Sequence, residues 1–185
     1  MTNVILQADA YLGERTGCYE YRSVRYKAAG DELVMMGLSD TDTIYDIGAG
    51  MTELDYSMRV DFNWRGRYIP VDQGIDGTNI QWWAPRRKVE FTVALEFLEH
   101  IPYPEMVVEN MQEVTSKGMV VSVPNPETVD VLGIDDTHVT IVTREMLEGW
   151  GFTVYEQMFY GGVFSGGRAD SLLGVWSALG MGRAN

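Results

Sequence analysis

The sequence predicts an α/β fold: a mostly parallel sheet with helices on both faces. Short apolar runs alternate along the chain with segments of helical period. The first run ends in Gly48-Ala49-Gly50 and the second in Asp72. This puts a backbone turn and a carboxylate at the carboxyl ends of neighbouring strands, where open α/β sheets bind ligands. The last two runs have no helical stretch between them, which predicts an antiparallel pair at the end of the chain.

The elements follow in order. Glu20 to Leu38, with Val24, Ala28, Leu33, Val34 and Met36 and with Tyr21 and Tyr26 interleaved, reads as a helix stopped by Gly37 and Asp40. Thr43 to Ile47 is the first strand, and Met51 to Met58 a short helix after the glycine turn. Tyr68 to Val71 is the second strand and Val89 to Leu95 the third. Pro102 and Pro104 signal the start of a helix over Glu105 to Thr115. Met119 to Val123 is the fourth strand, stopped by Pro124-Asn125-Pro126. Thr143 caps a helix ending at Trp150, with Glu145 in its first turn. Phe152 to Phe159 and Leu172 to Ala178 close the sheet, joined by the glycine-rich loop Gly161 to Gly167.

The chain has 185 residues, 45% hydrophobic and 22% charged, enough for one domain with a real core over residues 1–185. Within it, residues 1–40 are expected to form an N-terminal helical entry segment, which becomes a lid by the family resemblance given below, and 41–180 the α/β core. The net charge of −13 disfavours long nucleic acid, which calls for a basic footprint. The one basic cluster, Arg86-Arg87-Lys88, reads as a solvated turn. A single cysteine, Cys18, excludes an intrachain disulfide and fits a reducing compartment. No apolar run is long enough for a membrane span, and Met1 to Gly13 lacks the pattern of a signal peptide, so a cytoplasmic protein is expected. Oligomeric state is not legible.

Two groups of residues carry chemistry. Gly48 and Gly50 let the backbone approach a ligand without a side chain in the way, and Asp72 can accept from both hydroxyls of a ribose. No third glycine completes the dinucleotide spacing, which counts against a nucleotide-binding oxidoreductase. Directly after the third strand, Glu96, Glu99 and His100 at i, i+3 and i+4 would share one helical face as an acidic, metal-capable cluster.

These motifs in this order resemble the class I S-adenosylmethionine-dependent methyltransferases over roughly residues 20–180. Asp46-Ile47-Gly48-Ala49-Gly50 is similar to the family's first motif, Asp72 to its ribose-binding acid, and Ala94-Leu95-Glu96-Phe97-Leu98-Glu99-His100-Ile101 to its fourth-strand motif. Val121 to Pro126 and Leu147 to Phe152 are similar to later signatures. The resemblance implies a Rossmann-like sheet of seven strands with the last reversed. Between Asp72 and Val89 there is room only for a vestigial or missing third strand. It implies S-adenosylmethionine as donor, held by Asp46, Gly48, Gly50, Asp72 and Leu95, with Asp76, Gly77, Thr78 and Asn79 near its adenine.

The Glu-x-x-Glu-His element is similar to that of small-RNA 2′-O-methyltransferases and ubiquinone-pathway O-methyltransferases. By that likeness Glu96, Glu99, His100 and His138 are the catalytic residues and the ligands of a divalent ion, Mg²⁺ or Mn²⁺. A metal-free base and a structural role remain open for the same residues. The expected activity is methyl transfer to an oxygen, or less readily a nitrogen, of a small-molecule or nucleotide-type acceptor. The alternative is a methyltransferase-like module that binds without turnover. Trp64, Trp82, Trp83 and Trp150 read first as core or rim, and Tyr11, Tyr19, Tyr21 and Tyr26 as packing of the first helix or a lid over the donor. Phe164 and Arg168 stand in or beside a loop that either borders the acceptor or merely connects strands.

Overall fold

A computed structural model describes residues 18–178 apart from Arg86. Tyr11, residues 1–17 of the expected lid segment and Arg86 of the basic cluster therefore lie outside the described residues.

Six strands form one sheet in the order β2-β1-β3-β4-β6-β5. They are β1 Thr43–Ile47, β2 Arg67–Val71, β3 Val89–Leu95, β4 Thr115–Pro124, β5 Thr153–Gln157 and β6 Ser171–Ser177. The first four are parallel, and β6 runs antiparallel to both β4 and β5. Between β2 and β3 the described chain makes only a one-turn helix and a 3₁₀ turn, Ile80–Trp82, so of the vestigial or missing third strand it is the missing one that is found, and β2 is an edge among the described residues. Pro70, which has no N–H to offer a further strand, sits in it.

Side chains on each strand alternate between two cores, as the period of two requires. Ile44, Phe91, Val93, Leu95, Val120 and Leu173 face one side, packed by Tyr26, Ala29 and Leu33 of α1 (Cys18–Met35) and by Leu54 and Met58 of α2 (Glu53–Val60). Ile47, Ala94, Met119, Val121, Val123 and Leu172 face the other. They meet Val107, Val108, Met111 and Val114 of α4 (Pro104–Val114) and Leu147 of α6 (Arg144–Gly149). Two one-turn helices, α3 (Gln73–Asp76) and α5 (Val131–Ile134), punctuate loops at the carboxyl end of the sheet.

Helix α1 ends at Met35, three residues before the expected Leu38. Gly37 takes φ 86°, Leu38 N–H donates to the Leu33 carbonyl at 3.0 Å, and Gly37 N–H donates to Val34 at 2.9 Å. This paired closure needs a left-handed residue at Gly37. Strand β4 begins earlier than its apolar run, because Thr115 and Ser116 bond into the sheet. The Thr115 hydroxyl lies 2.8 Å from that of Thr92, and Ser116 Oγ donates to the Val89 carbonyl at 2.9 Å. Trp64 and Trp83 are core residues, Trp150 is partly buried against the second core, and Trp82 is exposed. No described helix is long and apolar enough to cross a membrane.

Candidate functional site

The carboxyl ends of β1, β2 and β3 lie side by side, and β1 and β3 each run into residues of positive φ. After β1, Gly48, Gly50 and Thr52 all take positive φ, at 71°, 51° and 64°. A Cβ at Gly48 would lie 2.1 Å from the Phe97 ring, so only glycine fits. Asp72, at the end of β2, staples this turn. Its Oδ2 accepts from Gly50 N–H at 2.9 Å and its Oδ1 from Gly74 N–H at 2.7 Å. Each oxygen keeps a second lone pair for a ligand hydroxyl. Asp46 lies beneath the turn, buried, and accepts from the Tyr68 hydroxyl. Burial pushes its carboxyl up to about 7. Leu95 is buried in the core face of β3.

The cluster after β3 departs from the helical face that its spacing suggests. Glu96 takes φ 50°, and its N–H donates to both the carbonyl and the hydroxyl of Ser122 on β4, at 2.9 and 3.1 Å. A left-handed non-glycine residue costs on the order of 1–2 kcal/mol, and such outliers concentrate where chemistry needs them. Glu99 and His100 follow in a 3₁₀ turn, Leu98–His100, so Glu96 is directed separately from them.

His138 arrives from the loop after β4. The Glu99 carbonyl accepts from Val139 N–H at 2.9 Å and Thr140 N–H at 3.0 Å, which fastens that loop to the 3₁₀ turn. One ligand atom from each of Glu99, His100 and His138 then lies within 4.8 Å of the others. The two imidazoles meet edge to face with centroids 4.6 Å apart, and His138 Nε2 is 4.0 Å from Glu99 Oε1. Glu96 falls outside this group of three and binds elsewhere: its Oε2 accepts from the Tyr160 hydroxyl at 3.2 Å.

The surroundings fit a metal ion held by these three. His138 Nδ1 lies 2.6 Å from the Val131 carbonyl, which fixes it as donor there and leaves Nε2 to ligate. His100 Nδ1 meets the Thr137 hydroxyl at 3.0 Å, and that hydroxyl donates to Asp135 at 2.6 Å. Glu99 Oε2 is buried with no hydrogen-bond partner. Bonds near 2.1 Å hold two ligand atoms on one ion within about 4.2 Å, close to the spacing found. Burial, together with the nearby Glu96, raises the Glu99 carboxyl well above the ordinary carboxylate range. Burial raises Glu96 against the opposing pull of Arg25. Burial and the adjacent His138 lower His100.

All of these groups line one cavity of about 470 Å³. Two further lining residues carry no local sequence motif: Arg25 from α1 and Tyr160 from the start of the glycine-rich loop. Arg25 Nη1 donates to Tyr160 Oη at 2.8 Å and Nη2 to Tyr26 Oη at 3.0 Å, while Tyr26 donates to Glu53 at 2.5 Å. Arg25 lies at i, i+4 and i+8 with Ala29 and Leu33 on the buried face of α1. A charge in an apolar stripe was the one signal available for it. Phe164 and Ile134 border the cavity, and both are exposed. The Arg168 guanidinium instead turns back on its own loop, donating to the Ser165 carbonyl at 3.3 Å.

Solved structures on which this chain superimposes include methyltransferases. A chain of the Haloferax volcanii complex between the Trm112 methyltransferase activator and a protein assigned as a methyltransferase superimposes with a TM-score of 0.63 at 15% identity, covering 95% of this chain and 97% of that one. The N-methyltransferase NodS from Bradyrhizobium japonicum, in complex with S-adenosyl-L-homocysteine, gives 0.58 at 12% identity over 95% and 98%. Magnesium protoporphyrin IX methyltransferase from Synechocystis, also with S-adenosylhomocysteine bound, gives 0.53 at 11% identity over 85% and 83%. The fold is that of the class I S-adenosylmethionine-dependent methyltransferases. No protein-family model and no curated protein matches the sequence.

Proposed function

We propose that this chain is an S-adenosylmethionine-dependent methyltransferase that acts on an oxygen of a small-molecule or nucleotide-type acceptor, with a divalent ion held by Glu99, His100 and His138. One observation supports it above the rest. The three buried side-chain polar atoms that lack a partner among the described residues, Arg25 Nε, Glu96 Oε1 and Glu99 Oε2, belong to residues that line a single cavity. Glu96 of that cavity is followed by Phe97, whose ring packs on Gly48 of the glycine turn. Buried polar groups left unpaired cost about 1–3 kcal/mol each, and a site that binds polar ligands is where such a cost is tolerated.

In this reading the Gly48 to Thr52 turn and Asp72 hold the nucleoside of the donor, at the ends of β1 and β2. The sulfonium carbon is already activated, so the protein's work is to align the acceptor oxygen with it. A C–O bond forms as the C–S bond breaks, and the acceptor proton passes to Glu96 Oε1, which burial makes proton-hungry and which faces no other partner. Glu99 Oε1 or Oε2 and the two Nε2 atoms make a set of one carboxylate and two imidazoles. That set suits a first-row ion such as Mn²⁺ better than Mg²⁺, which prefers oxygen. When bound, the ion would lower the pKa of the acceptor hydroxyl. The net charge of −13 and a cavity of about 470 Å³ support a compact acceptor over long RNA.

The test is transfer of radiolabel from methyl-labelled donor to the small-molecule and RNA fractions of a cell extract, with Mn²⁺ present or chelated. Labelled small molecules that vanish in the Glu99→Gln variant are expected. Donor binding with no transfer to any fraction would assign the chain to the non-catalytic role instead.

A further inference from the structure

The ring protons of the two histidines are fixed by the groups that meet their Nδ1 atoms. His100 Nδ1 faces two atoms of Thr137, the hydroxyl at 3.0 Å and the carbonyl at 3.3 Å. A carbonyl only accepts. The hydroxyl has a single proton, and Asp135 Oδ1 takes it at 2.6 Å while also accepting from Thr137 N–H at 2.8 Å. The Asp135 carboxylate is exposed, hence ionised at neutral pH, and has no proton to give back. Both partners of His100 Nδ1 are therefore acceptors, and the ring proton sits on Nδ1. His138 Nδ1 lies 2.6 Å from the Val131 carbonyl, another acceptor, so the same holds there.

With both protons on Nδ1, each Nε2 offers a lone pair, and Glu99 Oε2 adds an acceptor that nothing satisfies among the described residues. Ligand atoms of these three residues lie within 4.8 Å of one another, with no donor among them. A cation or an added proton relieves such a meeting of lone pairs. We infer that Thr137 is a positioning residue for the ion site: with its hydroxyl proton held by Asp135, it keeps His100 in the Nδ1–H form, so that Nε2 is ready to ligate. The inference rests on the assignment of the ion to Glu99, His100 and His138. Thr137 precedes one ligand in the chain yet serves the other, 37 positions away. One loop thus supplies His138 and orients His100. The bonds from Val139 and Thr140 N–H to the Glu99 carbonyl fasten that loop without help from the Thr137 hydroxyl, so removing the hydroxyl leaves the loop in place.

The chain has only two histidines, so the nitrogen-15 spectrum of histidine-labelled protein contains just two imidazoles. In the metal-free wild type at mildly alkaline pH, both rings are expected with a protonated Nδ1 and a bare Nε2. Thr137→Val keeps the shape of the side chain and removes the hydroxyl. It should move a large share of the His100 proton to Nε2, leave His138 as it was, and weaken Mn²⁺ binding in calorimetry about tenfold. Thr137→Ser should restore both the ring pattern and the affinity. Three results overturn the role of Thr137: a wild-type His100 protonated on Nε2, a Thr137→Val protein with tautomer and affinity unchanged, or a loss of affinity that Thr137→Ser fails to recover, which would mark a packing defect. A wild type with the expected tautomers that binds no Mn²⁺ strikes the ion assignment itself, and the role of Thr137 falls with it.

Discussion

At the amino-terminal edge of the sheet, Asp42 is 4% exposed and richly partnered. Its carboxylate accepts from Lys117 Nζ at 2.8 and 2.9 Å, and from the N–H and hydroxyl of Ser39 at 2.8 and 3.0 Å. Glu90 similarly accepts from Thr43 N–H at 2.8 Å. At the carboxyl edge of the same strands, Glu99 is 1% exposed, yet one of its oxygens has no partner, and the same holds for one oxygen of Glu96. Similar side chains at similar depth are satisfied at one end and left open at the other. A buried carboxylate stabilises a fold only when its lone pairs are filled. The amino-terminal edge therefore contributes stability, and the carboxyl edge gives some of it up.

Substitutions at the two edges should separate these roles. The largest effect is expected for Glu99→Gln: Mn²⁺ affinity by calorimetry falls at least 100-fold, while the metal-free protein melts at the same or a higher temperature, because an unpaired buried charge has gone. A lower melting temperature with intact Mn²⁺ affinity would erase the contrast. Asp42→Ala should do the reverse, lowering unfolding free energy in urea by about 2–3 kcal/mol and leaving ligand affinities unchanged. Lys117 and Ser39 hold the Asp42 carboxyl below its ordinary value in spite of burial. Its contribution is thus fully present above the unfolded pKa near 4 and is lost as pH falls through the lower folded value.

Gly48→Ala sharpens the comparison within the carboxyl edge. The added methyl meets the Phe97 ring at 2.1–2.3 Å at a φ of 71°, so S-adenosylhomocysteine affinity should drop about tenfold while the ion site retains its affinity. Asp46 has the opposite pH sign to Asp42. Its carboxyl is pushed up to about 7 by burial, so the folded state holds a proton that the unfolded state has released. Stability attributable to this group therefore declines as pH rises from about 4 to 7, and Asp46→Asn should flatten that decline in urea titrations across the range.

How much of this was legible follows from the range of the interactions. Strands β1 and β3 coincide with the apolar runs Thr43 to Ile47 and Val89 to Leu95, since burial on both faces writes itself into consecutive residues. The glycine turn and Asp72 were readable because their roles depend on the backbone at strand ends. The cavity was less so. Its walls come from α1, the turn after β3, the loop after β4 and the loop before β6, and nothing in the sequence ties Arg25 to Tyr160 across 135 positions. The i, i+3, i+4 spacing of Glu96, Glu99 and His100 suggested one helical face, but the left-handed Glu96 divides it. Ser122, whose backbone and hydroxyl both accept from Glu96 N–H, lies on another strand. The edge strand missing beyond β2 was visible simply as a shortage of residues between Asp72 and Val89.

The most direct test of the donor and ion assignments is anomalous diffraction from crystals grown with S-adenosylhomocysteine and Mn²⁺. The prediction is a single manganese peak bonded to Glu99, His100 and His138, with the nucleoside across Gly48 to Asp72 and its sulfur facing the cavity. A nucleoside bound with its sulfur turned away from Glu96, or a cluster without manganese at saturating concentration, would contradict it.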